Sequence, residues 1–172
     1  GSTLKPFVYL LGIEERKFTA SSLLPDTADS IPNKFRAYEP KNFNHKFNGP
    51  VRVRNALASS LNVPAVYALS LTGPRKSFDF TTQFGIKTSE SIDDLGAGFV
   101  LGNRKIRLLD LASAYSNLAR TGLVIPPIFS ENTILRPKRI VSEESVNIIT
   151  DILADNEARS ASFGRHSSLH IK

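Results

Sequence analysis

The sequence predicts a predominantly α-helical chain, and three observations carry that expectation. Apolar residues recur at spacings of three and four in separate stretches, most clearly at Leu108, Leu111, Ala112, Tyr115, Leu118 and Ala119. Helix punctuation brackets such stretches: Pro6, Pro50 and Pro64 stand near their starts, and Gly12, Gly85 and Gly122 near their ends. The stretch that reads as extended is short, Ile125-Pro126-Pro127-Ile128.

Taken in order, residues 2 to about 14 form a first helix on Leu4, Phe7, Val8, Leu10 and Leu11, with Gly12 as its stop signal. Pro6 is tolerated there because first-turn amides have no intrahelical acceptor to lose. From Ser21 to Pro50 the period disappears into Pro, Asn, Asp and Gly, which is turn chemistry. A loop of that length is unusual inside a domain, and Phe35, Tyr38, Phe43 and Phe47 are expected to pin it to the body. Pro50 to Ser60 reads as a second helix and Val63 to Leu69 as a third, with Asn62 at the joint. Ser77 to Phe84 is a short helix closed by Gly85. The glycine-rich Leu95 to Gly102 lacks the Lys-Ser/Thr of a phosphate loop, so its glycines are read as permitting close backbone approach. Ile106 to Gly122 is the clearest amphipathic helix, its apolar stripe assigned to the core. Ser142 caps a helix running to Leu153, with Ser145 where a capping box would place Glu or Gln. Asp155 to Arg159 makes a last short element, ended by Phe163-Gly164.

Composition bounds the function. A chain of 172 residues supports one domain with a real core. The absence of Cys excludes disulfides and thiolate chemistry, and three His give little support for a metal. No apolar run approaches the roughly 18 to 20 residues that span a bilayer. The net charge of +6 is dispersed and not interleaved with aromatic residues, which argues against nucleic acid.

Two short patterns carry chemistry. Ser2 and Lys5 stand at i and i+3 at a helix start, so hydroxyl and amine share a face. A hydroxyl beside an amine is the minimum of a serine nucleophile with a lysine base. The bland alternative is a capping serine beside a solvated lysine. Ser60-Leu61-Asn62 lies at the joint of two helices, where the bland alternative is again capping and turning.

Taken together, these segments resemble the class A penicillin-binding proteins. Gly1-Ser2-Thr3-Leu4-Lys5-Pro6-Phe7 resembles their acylation motif, and Tyr38-Glu39-Pro40-Lys41-Asn42-Phe43 a pattern of their long loop. Ser60-Leu61-Asn62, followed by Val63-Pro64-Ala65, is similar to their second active-site motif. The stretch around Leu108-Leu109-Asp110-Leu111-Ala112 resembles the body of the domain, and Thr150 to Arg159 resembles the 1C type in particular.

The resemblance implies an α/β fold of the β-lactamase/transpeptidase kind, with residues 1–172 forming a partial transpeptidase domain. This part is mostly helical because strands of the central sheet would lie before Gly1 and after Lys172. It implies serine acyl transfer that cross-links peptidoglycan stem peptides and is inhibited by β-lactam antibiotics. Ser2 would be the nucleophile and Lys5 its base. Ser60 would join the proton path to the leaving group, and Asn62 would hold Lys5 and a substrate amide. No cofactor or metal is implied. The parent would be anchored in the bacterial inner membrane, with a glycosyltransferase domain and a periplasmic catalytic part, this chain itself being soluble. The family's Lys-Thr/Ser-Gly triplet does not occur here. Little turnover is therefore expected of the isolated chain, together with exposed apolar helix faces where a sheet would pack. A serine β-lactamase or carboxypeptidase relative, or a non-catalytic scaffold of the same fold, are the alternatives.

Overall fold

The structure, a computed structural model, describes residues 1–30, 41–43, 45–130 and 136–164. Its axis is α1 (Lys5–Glu14), preceded by a 3-10 turn over Ser2–Leu4. Every residue from Lys5 to Ile13 is buried, as a helix apolar on all sides requires. Around it pack α2 (Val53–Ala58), α3 (Asn62–Thr72), α4 (Pro74–Gln83), α6 (Gly98–Leu101) and α8 (Glu143–Ala154). The remaining helices are α5 (Ile92–Leu95), α7 (Leu108–Ala119) and α9 (Ser160–Phe163). Phe7 lies at the centre, edge-on to Phe84 at 5.2 Å and to Tyr115 at 5.4 Å between ring centroids.

Among the described residues the strands form two small antiparallel ribbons, so the chain is mostly helical, as the sequence predicts. β1 (Leu23–Asp26) pairs with β2 (Gly49–Arg52), and Pro25 faces Pro50 in register. β3 (Leu123–Val124) pairs with β4 (Lys138–Arg139). The first ribbon corrects two expectations. Part of the expected loop from Ser21 to Pro50 is strand, and Pro50 lies in β2 instead of opening a helix, which starts at Val53. Proline is tolerated in a ribbon whose outer edges need no partner. The aromatic pins also fail where they are described. Phe43 is fully exposed and Phe47 is exposed, while Phe35 and Tyr38 lie outside the described residues.

Gly12 does not stop α1, which continues to Glu14. A Cβ at Gly12 would collide with the Phe18 ring, so the missing side chain makes room for an aromatic of the core. Gly102, at φ +84°, has the Gly1 backbone pressed against it, which bears out the reading of close approach in the glycine-rich stretch. The apolar stripe of α7 is borne out in half of its members. Leu118 is buried, and Leu111 and Tyr115 pack against the core. Leu108, Ala112 and Ala119 are exposed, and Leu109, Ile128 and Phe129 extend the open apolar surface. The buried face is completed by Asp110, Ala114 and Asn117, which the apolar pattern does not mark.

Candidate active site

The site begins with a buried amine. Lys5 opens α1 with 1 % of its surface exposed, although its neighbours Leu4, Pro6 and Phe7 are core residues. Its Nζ donates to three oxygens: the Ser60 carbonyl at 2.6 Å, Asn62 Oδ1 at 2.7 Å and Ser60 Oγ at 3.2 Å. An ammonium has three N–H donors, so the three acceptors match it in number. All three are neutral, and burial lowers the Lys5 pKa to about 7. Desolvation disfavours the charged form, and no carboxylate stands among these partners to oppose it.

The acceptors are presented by the joint between α2 and α3. Ser60 N donates to Leu57 O and Leu61 N to Ala56 O, both at 3.0 Å, which is the double closure of a Schellman turn. The left-handed position of that turn is Ser60, at φ +54°, where glycine is the usual occupant. A side chain there costs roughly 1–2 kcal/mol. The strained turn delivers both the carbonyl and the hydroxyl of one residue to Lys5. The C-terminal segment clasps the same joint: Ser59 Oγ donates to Ala158 O at 3.1 Å, and Ser162 Oγ donates to Ser59 O at 2.8 Å. Arg54 of α2 adds ion pairs to Asp151 and Asp155.

Asn62 is the first residue of α3, and both ends of its carboxamide are engaged. Oδ1 accepts from Lys5, and Nδ2 donates to Lys41 O at 2.7 Å. Its backbone N–H donates to Asn42 Oδ1 at 2.8 Å. In the sequence Asn42 is one of several Asn of the long loop and a member of the Tyr38–Phe43 pattern, with no role attached. The one pointer to it is that the N-cap of α3, Leu61, has no side-chain acceptor, so a cap must come from elsewhere.

Ser2 occupies the exposed 3-10 turn that runs into α1. Lys5 N donates to Ser2 O, and in a 3-10 turn residues i and i+3 eclipse. Ser2 and Lys5 therefore share a side. Among the described residues no hydrogen bond joins the Ser2 hydroxyl to Lys5. The turn is held from two directions, with Tyr115 of α7 donating to Thr3 O at 2.9 Å and the Gly1 amine to Gly102 O at 3.0 Å. So the structure gathers Lys5, Ser60 and Asn62 directly and stations Ser2 on the turn beside them. Among the described residues no cluster of His, Asp or Glu could hold a metal, and no helix is long and apolar enough to cross a membrane.

The family model of the penicillin binding protein transpeptidase domain matches residues 1–172. The chain belongs to that family. Among curated relatives it is 33% identical over 158 residues to penicillin-binding protein 1C of Escherichia coli, covering 90% of this chain and 20% of that protein. It is also 33% identical over 137 residues to penicillin-binding protein 1F of Bacillus subtilis, covering 78% and 18%. The chain thus spans about a fifth of the length of the curated relatives it matches. The crystal structure of penicillin-binding protein 1A from Haemophilus influenzae superposes with a TM-score of 0.75 at 25% identity, covering all of this chain and 31% of that one. The PonA1 protein of Mycobacterium tuberculosis, solved in complex with penicillin V, superposes at TM-score 0.74 and 22% identity over 95% and 48%, which is a likeness of fold. The helical chain is thus one part of the penicillin-binding transpeptidase fold.

Proposed function

We propose that residues 1–172 are a partial domain carrying the acylation half of a peptidoglycan D,D-transpeptidase site, with Ser2 as nucleophile. The observation that carries this is the Lys5 amine, enclosed by Ser60 and Asn62 and brought by burial to a pKa of about 7. A general base works best with a pKa near the working pH. When Lys5 is neutral it keeps two N–H groups, which suit the short contacts to Ser60 O and Asn62 Oδ1, and its lone pair is left to receive a proton.

Ser2 Oγ adds to the carbonyl carbon of the penultimate D-alanine of a stem peptide as its proton passes to Lys5 Nζ. Collapse of the adduct breaks the bond to the terminal D-alanine, whose nitrogen takes a proton from Lys5 through Ser60 Oγ. The acyl ester left on Ser2 is transferred to an amine of a neighbouring stem peptide, which restores the serine hydroxyl. Asn62 keeps Lys5 in place, and the remaining N–H of its carboxamide suits a substrate carbonyl. β-Lactams acylate the same serine. Such a role places the working protein outside the cytoplasmic membrane, with membrane anchor and glycosyltransferase domain elsewhere in the parent.

The test is a labelled penicillin applied to the whole protein. Covalent label on Ser2, absent in Ser2→Ala and slow to hydrolyse, is expected. Rapid hydrolysis of the label would favour a lactamase, and a protein that takes none would be a scaffold.

A further inference from the structure

We propose that Asn42, anchored by Asp26, is a positioning residue of the acylation site, a role that rests on the acyl-transfer reading above. Asp26 ends β1 and is fully buried, and Asn42 is 3 % exposed. The Asp26 carboxylate accepts from Asn42 Nδ2 at 2.8 and 2.9 Å, from Asn48 N at 3.0 Å and from Asn48 Nδ2 at 2.6 Å. Asn42 Nδ2 also donates to Lys46 O at 2.9 Å. With its amide nitrogen fixed in this way, Asn42 can present only its oxygen in the opposite direction. That oxygen accepts from Asn62 N at 2.8 Å and Val63 N at 3.4 Å, the first amides of α3.

The cap that Leu61 cannot provide therefore arrives from twenty residues upstream, on a side chain locked by a buried carboxylate. The charge on Asp26 polarises the Asn42 amide and makes its oxygen a better acceptor, where the positive end of α3 favours negative charge. A continuous path results: Asp26 to Asn42, Asn42 to the Asn62 backbone, and the Asn62 side chain to Lys5 Nζ at 2.7 Å. The adjoining Lys41 carbonyl takes the other end of the same carboxamide. The segment around Asn42 thus sets both the height and the rotation of Asn62, and through it the acceptor that holds the base. Misplacing a catalytic group by about 1 Å costs on the order of a hundredfold in rate.

The experiment compares wild type, Asn42→Ala, Asn42→Asp and the exchange Asp26→Asn/Asn42→Asp in the whole protein. The probe is benzylpenicillin, with the acylation rate constant at saturation read separately from the half-saturating concentration. Rates are normalised to the final extent of labelling, so loss of folded protein alone leaves them unchanged. Asn42→Ala is expected to lower the rate constant about tenfold or more, with the half-saturating concentration little moved. Asn42→Asp sets two carboxylates against each other and is expected to fall at least as far. The exchange restores a carboxylate–carboxamide pair with its ends reversed. The carboxylate, now at position 42, accepts from the α3 amides, the carboxamide at position 26 donates to it, and the Lys46 carbonyl loses its donor. The exchange is expected to be about tenfold faster than Asn42→Asp without reaching wild type. Should Asn42→Ala not fold, the comparison of Asn42→Asp with the exchange decides alone. An unchanged rate in Asn42→Ala, or an exchange no faster than Asn42→Asp, overturns the positioning role while leaving the acylation reading intact. A wild type that takes no label on Ser2 removes both.

Discussion

Lys5 Nζ and Asn62 Oδ1 stand 2.7 Å apart across 57 positions of sequence, joining the first turn of α1 to the first turn of α3. The contact pairs a buried amine with a neutral oxygen, which separates it from an ordinary ion pair. A carboxylate in place of the carboxamide would hold Lys5 charged and useless as a base. The neutral partner orients the amine and leaves burial to govern its protonation.

Acylation of Ser2 is therefore expected to rise with pH and reach half its plateau near pH 7. Below that point each unit of pH removes about tenfold of the neutral amine and of the rate. The same group affects stability with a definite sign. In the folded state Lys5 releases its proton near 7, and in the unfolded chain near its ordinary 10.5. Between these values the unfolded chain binds more protons, so stability rises with pH across that window. Labelling rates from about pH 5 to 9, with unfolding followed in parallel, check both; a flat rate profile would remove Lys5 as the base.

Asn62→Asp is expected to move that profile upward. The new carboxylate would stand at hydrogen-bond distance from Nζ and raise the Lys5 pKa by about 1–3 units. At about pH 7 the rate should fall by roughly the same number of decades, and much of it should return near pH 9. A variant equally inactive at every pH would show that Asn62 acts on the substrate and not on the base.

How much of this was legible beforehand depended on the range of each signal. Ser2-x-x-Lys5 and Ser60-x-Asn62 are local spacings, and the helices that carry them follow from local periodicity, so these residues stood out. Asp26 and Asn42 did not. Asp26 looks like turn chemistry and Asn42 enters only as one member of the Tyr38–Phe43 pattern, and their roles exist only through partners 16 to 22 positions away. The β1–β2 ribbon was hidden by Pro25 and Pro50, which face each other and carry no ladder donor. In α7, periodicity found Leu111, Tyr115 and Leu118 on the core but missed Asp110 and Asn117 beside them, because a buried polar residue leaves no mark in an apolar pattern. Ser60 concealed a backbone cost, because φ +54° is a property of the turn and not of the residue type.

That cost separates the two simplest substitutions at Ser60. Both Ser60→Gly and Ser60→Ala lose the hydroxyl 3.2 Å from Lys5 Nζ, so their acylation rates should fall alike. Their stabilities should part, since glycine enters the left-handed region without strain and alanine does not. Ser60→Gly is expected to be more stable than Ser60→Ala by about 1 kcal/mol. Unfolding midpoints that coincide would mean the turn relaxes out of the left-handed region.

A last expectation concerns Glu14, at the far end of α1 from the site. Ser142 caps α8 through Oγ, which accepts from Ser145 N at 3.3 Å. The carboxylate missing from position 145 comes instead from Glu14, which accepts from Ser142 N at 3.1 Å and Ser142 Oγ at 2.6 Å. A capping box has been assembled across 128 residues. Burial raises the Glu14 pKa, but the hydrogen bonds from Ser142 and Ser145 outweigh it, so the group stays below its ordinary value. A depressed carboxylate stabilises above its unfolded pKa, and that contribution fades as pH falls through the folded value. Glu14→Ala is therefore expected to cost about 1–2 kcal/mol near pH 7, with the gap from wild type narrowing as the pH falls below the ordinary carboxylate range. A gap that persists undiminished in acid would assign the loss to packing of the side chain, since the charge would by then be neutralised in the wild type as well.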